Sequence, residues 1–252
     1  MNNKHKLITT QATASVSIRE RTPSATRADW LVPTALIVLS FIPFAAGAVR
    51  VVGLASGAAI TPENARFFAA PLPVVLHILS ASLFCILGAF QFAPGLRRRR
   101  PGWHRRAGRL LVVCGLVAGL SGLWMTQFYP LRPHGQGDLL YGFRILFGSA
   151  MILFITLGLT AIRRRNIAQH RAWIMRGYAI GQGAGTQALV GLPWFLIAGK
   201  MSELNNELMM GACWVVNLAV AEWIIRRNRP RGRQEQSAGI QGAATQLKEG
   251  GI

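Results

Sequence analysis

The stretch RRRRPGWHRRAGRLLVVCGLVAGLSGLWMTQFY, residues 97–129, decides the fold. Its first part is crowded with arginine. Its second part is an apolar run that ends in Trp124 and Tyr129. Runs of about 20 apolar residues match the hydrocarbon thickness of a bilayer, and a cationic flank marks the side that stays in the cytoplasm. Working outward, the same unit recurs. Apolar runs cover about 30–52, 73–94, 107–129, 139–162, 172–198 and 206–226, and the segments between them are by turns rich and poor in arginine. In lipid, an open chain satisfies its backbone only as a helix. The expected fold is therefore all-α: a polytopic membrane helical bundle of six transmembrane helices over residues 30–227. Polar tails without apolar periodicity, 1–29 and 228–252, read as disordered and cytoplasmic.

The basic residues set the orientation. The N-terminal tail, the loop Arg97–Arg109, the loop Arg163–Arg171 and the tail from Arg226 hold 5, 7, 4 and 6 of them, 22 of the 28 in the chain. The opposite loops hold only Arg66, Arg132 and Lys200, while Arg50, Arg144 and Arg176 fall inside spans. Both termini are thus expected on the cytoplasmic side of a bacterial inner membrane. Aromatic residues follow the same frame, with Trp30, Trp103, Trp173 and Trp223 at the inner interface and Trp124, Tyr129 and Trp194 at the outer one. The first span is too long for the apolar part of a cleaved signal peptide and reads as a retained helix bent near Pro33 or Pro43. A net charge of +19 would suit a nucleic-acid partner, but a chain that is 51% hydrophobic and 15% charged lacks the polar surface for one. The charge reads instead as topology and as attraction to anionic lipid. Cys85, Cys114 and Cys213 lie in apolar runs without zinc-like spacing, so they read as small buried hydrophobes.

Spans two and four share a pattern. Each ends in three arginines, and each is followed by a His-Arg pair that opens the next span: His104-Arg105 and His170-Arg171. This reads as a parallel duplicated pair, with spans two to five forming a four-helix core. His104 and His170 then hold equivalent positions and can face each other, as the two metal ligands of a bis-imidazole haem b site require. Gly115, Gly119 and Gly122, with Gly181, Gly183 and Gly185, suit either close helix packing or a flat cofactor.

Other polar residues interrupt the apolar runs, where they are costly and often functional. His77 lies near the outer end of span two, with Tyr141, Arg144 and His134 as its nearest candidates and Arg50 at similar depth. Arg50, His77 and Arg144 together would form a basic site for haem propionates, a quinone carbonyl or another anionic group; alternatively they snorkel to the interface. Arg176 and Glu222 match in depth and suit an intramembrane ion pair. Asn217 suits a hydrogen bond between helices, and Gln182, Thr186 and Gln187 give span five a polar stripe.

Several of these segments carry a resemblance. HRAWIMRGYA at 170–179, GQGAGTQ at 181–187, HRRAGR at 104–109, His77 with Gln91-Phe92, and Trp214–Asn217 through Glu222-Trp223 resemble a bacterial family of predicted multi-spanning membrane proteins of unknown function, a domain-of-unknown-function family. The resemblance covers about residues 30–227. A more distant one is to the transmembrane di-haem b-type cytochromes, where histidines pair between alternate helices of a four-helix core. That resemblance implies His104 and His170 as one pair and His77 as part of a second, for which span four has no histidine.

Three functions follow. The first is an integral membrane protein that binds a lipid or a quinone, or acts as an assembly partner. The alternative is an electron-transfer protein with one b-type haem between His104 and His170 and a redox partner. The third is a small-solute transporter. Signatures of nucleophilic or metal-dependent hydrolysis are missing, so any enzymatic role would be that of a membrane oxidoreductase.

Overall fold

In the computed structural model, which describes residues 28–130 and 137–228, the apolar part of the stretch 97–129 lies in one unbroken helix of 28 residues, Pro101–Phe128. In chain order the helices are α1 (Ala28–Ala55), α2 (Ala65–Ala69), α3 (Pro71–Gln91), α4 (Pro94–Arg99), α5 (Pro101–Phe128), α6 (Asp138–Arg163), α7 (Ile167–Gly181), α8 (Gly183–Ala198) and α9 (Glu203–Arg227). No strand occurs among the described residues. The boundaries follow local chemistry. Proline begins α3, α4 and α5, where its missing N–H costs nothing. Asn166 and Ser202 cap α7 and α9 by accepting from the backbone N–H of Gln169 and Asn205. The tails 1–27 and 229–252, and His134 and Arg132, lie outside the described residues.

Five helices are long and apolar enough to cross a membrane: Trp30–Ala55 of α1, and the whole of α3, α5, α6 and α9. Their outward faces are studded with large apolar side chains, among them Val49 at 74% and Leu146 at 61% exposure. A soluble monomer does not carry so much contiguous apolar surface; a lipid-facing bundle does.

The expected fifth span departs from the reading. The apolar run 172–198 is divided at Gln182 into α7 and α8, of 15 and 16 residues, each short of a full crossing. Glycine at 181, 183 and 185 weakens the helix there. The junction is held from outside, because Asn217 of α9 donates to Ala179 O at 3.1 Å and Cys85 of α3 donates to Gly181 O at 3.4 Å. Both halves nevertheless run along α9. Arg176 meets Glu222, Thr186 meets Asn217 and Gln187 meets Met210, so rising numbers on one side pair with falling numbers on the other.

The core draws on α3, α5, α6 and α7: Phe84, Leu111, Cys114, Ala118, Phe147, Met151, Ile155, Tyr178 and Ile180 are its buried members. Each of these four helices contacts two of the others in a closed ring. The glycines serve packing. A Cβ on Gly115 would stand 2.6 Å from Ile155 Cδ1 and 2.7 Å from Phe84 Cε2, and one on Gly181 would stand 2.8 Å from Phe84 Cε1. The Phe84 ring thus fills the space that both glycines leave. The two arginine loops differ in build. The first contains α4, whereas the second is a tight turn in which Arg165 takes a left-handed conformation, φ 59°. Local structure therefore does not repeat between the halves of the proposed duplication.

Candidate ligand cavity at the arginine-poor end

Ring contacts define the two ends of the bundle. Trp30, Phe90 and Trp103 meet at the arginine-rich end, with Phe90 6.4 Å from each of the other two. Phe67, Tyr129 and Trp124 meet at the other, with Tyr129 5.5 and 5.6 Å from its neighbours.

A cavity of about 410 Å³ opens inside the arginine-poor half of the bundle. Its mouth is marked by Arg66, Tyr129 and Gly137, and its floor by Phe84, Gly181 and Ala184 at the break between α7 and α8. Most of the wall is apolar, and His77, Tyr141, Arg144 and Gln187 supply its polar positions. This mixture of a largely apolar chamber and a few converging polar groups is typical of small-molecule sites.

The His77 ring is held in place. Its Nδ1 lies 2.9 Å from Ala118 O and 3.4 Å from Ser121 Oγ on α5. A carbonyl only accepts, so Nδ1 carries a proton, and in the neutral form of the ring the lone pair is then on Nε2. Arg144 lies within electrostatic reach of this ring. Tyr141 donates its hydroxyl proton to Gln127 Oε1 at 2.7 Å, which orients its oxygen at the rim. Gln187 Nε2 donates to Met210 O at 3.2 Å. The site therefore offers a proton acceptor and a cation at neighbouring positions.

A second, smaller cavity of about 120 Å³ shares His77, Ala81, Cys85, Gly181 and Ala184 with the first and extends towards Ser40 of α1. A polar chain starts at Ser40 and Gln182, on the wall of the smaller cavity, and crosses the helix break. Ser40 Oγ donates to Gln182 Oε1 (3.1 Å), Gln182 Nε2 to the Tyr178 hydroxyl oxygen (2.7 Å), and Tyr178 O–H to Cys85 O (2.6 Å).

Residues 74–225, more than half of the chain, match DUF2306, described as predicted membrane proteins. The chain belongs to the DUF2306 family. No curated protein and no solved structure matches it. The DUF2306 match starts in α3 and ends in α9. It takes in every wall residue of the larger cavity except Arg66 and Phe67, and it leaves out α1 and with it Arg50.

The structure distributes the candidate residues over separate neighbourhoods. His77 and Arg144 line one cavity, whereas Arg50 stands one ring away. Its guanidinium lies 4.5 Å from the centre of Phe67, which Arg66 also approaches at 4.7 Å. His104 and His170 sit together at the arginine-rich end, within electrostatic reach of each other. His170 Nδ1 is 2.8 Å from Gly158 O, while the buried Nδ1 of His104 has no hydrogen-bond partner. Arg176 Nε donates to Glu222 Oε1, with Arg226 3.9 Å from the other carboxylate oxygen and the Arg176 guanidinium 4.5 Å from the Trp173 ring. Asn217 joins α9 to both halves of the broken helix, accepting from Thr186 Oγ1 at 2.9 Å while donating to Ala179 O.

Glu207 is the residue the sequence reading missed. Only Glu222 was expected within the membrane, yet Glu207 is 4% exposed and accepts from the backbone N–H of Gly137, the residue that caps α6. A carboxylate at a helix N-terminus complements the helix dipole. Its signal was an acid one turn inside α9, four residues after Glu203.

Proposed function

We propose that this DUF2306 chain is a multi-pass protein of a bacterial cytoplasmic membrane that binds a quinone or a lipid in the 410 Å³ cavity, with the ligand's polar head at His77 and Arg144. The observation that carries this reading is the pairing of an acceptor with a cation in an apolar chamber. His77 Nε2 suits a hydroxyl, as on a quinol or a glycerol, and the Arg144 guanidinium suits a carbonyl or an ester oxygen. The arginine distribution supports a cytoplasmic position for the arginine-rich end and a periplasmic one for the cavity mouth. The antiparallel run of α7 and α8 along α9 supports a sixth crossing made of two half-helices.

A short-chain quinone added to the purified protein tests the site. Trp214 lines the cavity, so a bound quinone should quench tryptophan fluorescence with saturation. His77→Ala and Arg144→Met should each weaken that saturation about tenfold, as loss of one well-placed polar contact implies. A helix break at a cavity floor is also used by transporters. Quenching that does not saturate, together with a water-soluble solute that raises Tm, would replace the quinone or lipid with that solute.

One observation favours a second reading, a b-type haem at His104 and His170. The His170 Nδ1 proton is committed to Gly158 O, which fixes the tautomer and leaves Nε2 as a ligand, as in metal-bound histidines. A reduced-minus-oxidised visible spectrum of protein expressed with ample haem decides it. A sharp α-band lost in either alanine variant supports haem, and a flat spectrum removes the reading.

A further inference from the structure

We propose that the ligand of the larger cavity is a membrane-dissolved molecule with a long apolar tail, prenyl or acyl, and that the tail leaves sideways through the smaller cavity, beneath Phe44 of α1. The inference rests on the proposed head site at His77 and Arg144. His77, Ala81, Cys85, Gly181 and Ala184 belong to the walls of both cavities, so a molecule whose head meets His77 has two ways to lead its tail out. One is the mouth at Arg66 and Tyr129, at the end of the bundle. The other is the smaller cavity, in the seam where α1 covers α3 and the start of α8. α1 packs along both of these helices, which have little contact with each other.

Three features of the seam suit a tail. Its wall is mainly apolar, with Pro43, Phe44, Ile78 and Ile86 among its members. Of its polar members, Ser40 and Gln182 are bonded to each other at 3.1 Å, so they call for no polar partner in the cavity. Second, the outer wall is thin. Phe44 lines the cavity yet is 43% exposed at the bundle surface, and it stands about 17 Å along the axis from the end of α1 at Ala55. That depth falls inside a hydrocarbon layer about 30 Å thick, where an apolar tail is at home, whereas a tail leaving by the mouth would enter the polar interface. Third, α1 is weakened at this level. Pro43 has no N–H to offer the carbonyl of Leu39, and α8 meets α1 at that same carbonyl, since a Cβ on Gly185 would stand 2.5 Å from Leu39 O. The helix can therefore bend beside the ring that closes the seam.

Photolabelling of the full chain in nanodiscs tests the route. The probe is a decyl quinone with a diazirine at the end of its tail, and mass spectrometry locates the label. Label should fall on residues 40–44 and 78–86 and disappear under excess tailless quinone. The same diazirine on the acyl end of a monoacylglycerol identifies the source: the probe whose label is competed is the one the seam accepts. Ser82→Phe fills the smaller cavity without touching the larger one. It should raise the concentration of decyl quinone needed for half-quenching about tenfold, the size of an overpacking effect, and leave the tailless quinone unchanged. The labelling uses the unsubstituted chain, so it decides the matter even where Ser82→Phe fails to fold. Competed label confined to residues 122–129 and 137–144 would send the tail through the mouth and overturn the proposal. So would label that competitor does not reduce and that is equally strong at Leu146, a lipid-facing residue of α6, or a folded Ser82→Phe that binds decyl quinone as before. Saturable quenching by the tailless quinone with label at the mouth removes the side route and keeps the head site. Absence of saturable quenching removes both.

Discussion

Asn217 holds the broken helix, and removing it should loosen α7 from α8 in a way that can be measured. Its amide nitrogen donates to Ala179 O and its amide oxygen accepts from Thr186 Oγ1, so one side chain on α9 bridges the last turn of α7 and the first turn of α8. Asn217→Leu keeps the volume and deletes both bonds. Hydrogen bonds between membrane helices contribute about 0.6 kcal/mol on average and about 1.7 at most. The variant should therefore lose about 1–3 kcal/mol, and Thr186→Val, which deletes one bond, about 0.6. In the double-mutant cycle the Thr186–Asn217 coupling should come to about 0.6 kcal/mol. Reversible unfolding in mixed micelles supplies these numbers. Hydrogen exchange supplies the location, because protection should fall over residues 179–187 and hold in α5. A coupling of zero with unchanged exchange at the junction would refute the bridging role, even if the single variants lost stability.

Gly115→Ala should destabilise by about 1–3 kcal/mol, as overpacking does, because its Cβ would press on Ile155 and Phe84. Gly108→Ala, which meets nothing within 4 Å, should be neutral or stabilise by up to about 1 kcal/mol; thermal unfolding in detergent compares the two. Arg165→Gly should raise stability by about 1 kcal/mol, since glycine enters the left-handed region without the penalty Arg165 bears there, and an unchanged Tm would contradict this. Glu222→Gln should cost more than Arg176→Gln. The second change leaves the carboxylate with Arg226, while the first leaves a guanidinium that is 16% exposed without its carboxylate. Both should lie near about 1–3 kcal/mol, below a fully buried pair because each partner is partly exposed; the order of the two unfolding free energies is the test.

How much of this could be read beforehand depends on whether a property is local to the chain. The places of the five long apolar helices were legible, because arginine clusters and apolar runs are local and a bilayer sets a minimum length for each. The break in span five was not. Residues 172–198 are apolar throughout most of their length, and the glycines at 181, 183 and 185 read equally well as packing surface. What holds the division is the supply of donors from Cys85, 96 residues away, and from Asn217, 38 residues away. No pattern within the run could announce them. The cavity shows the same division. His77 stood out as a polar residue in an apolar helix, and Arg144 was placed at its depth, but the ring's tautomer depends on Ala118 O, a backbone atom of another helix. Arg50 was placed at a fitting depth, and then α2, a five-residue helix no periodicity could reveal, inserts Phe67 beside its guanidinium. Glu207 escaped for the opposite reason, since its position near the end of a span made solvent the simpler expectation. Its partner, the N–H of Gly137, lies 70 residues earlier in the chain, just ahead of α6. The break and the cavity are therefore one feature. The break places Ile180, Gly181 and Ala184 on the cavity wall, and the bonds that hold it, from Cys85 and Asn217, are the bonds that keep that floor in place. A ligand seated against His77 should accordingly be sensed by Asn217, and Asn217→Leu should weaken quinone quenching although it touches no wall of the cavity.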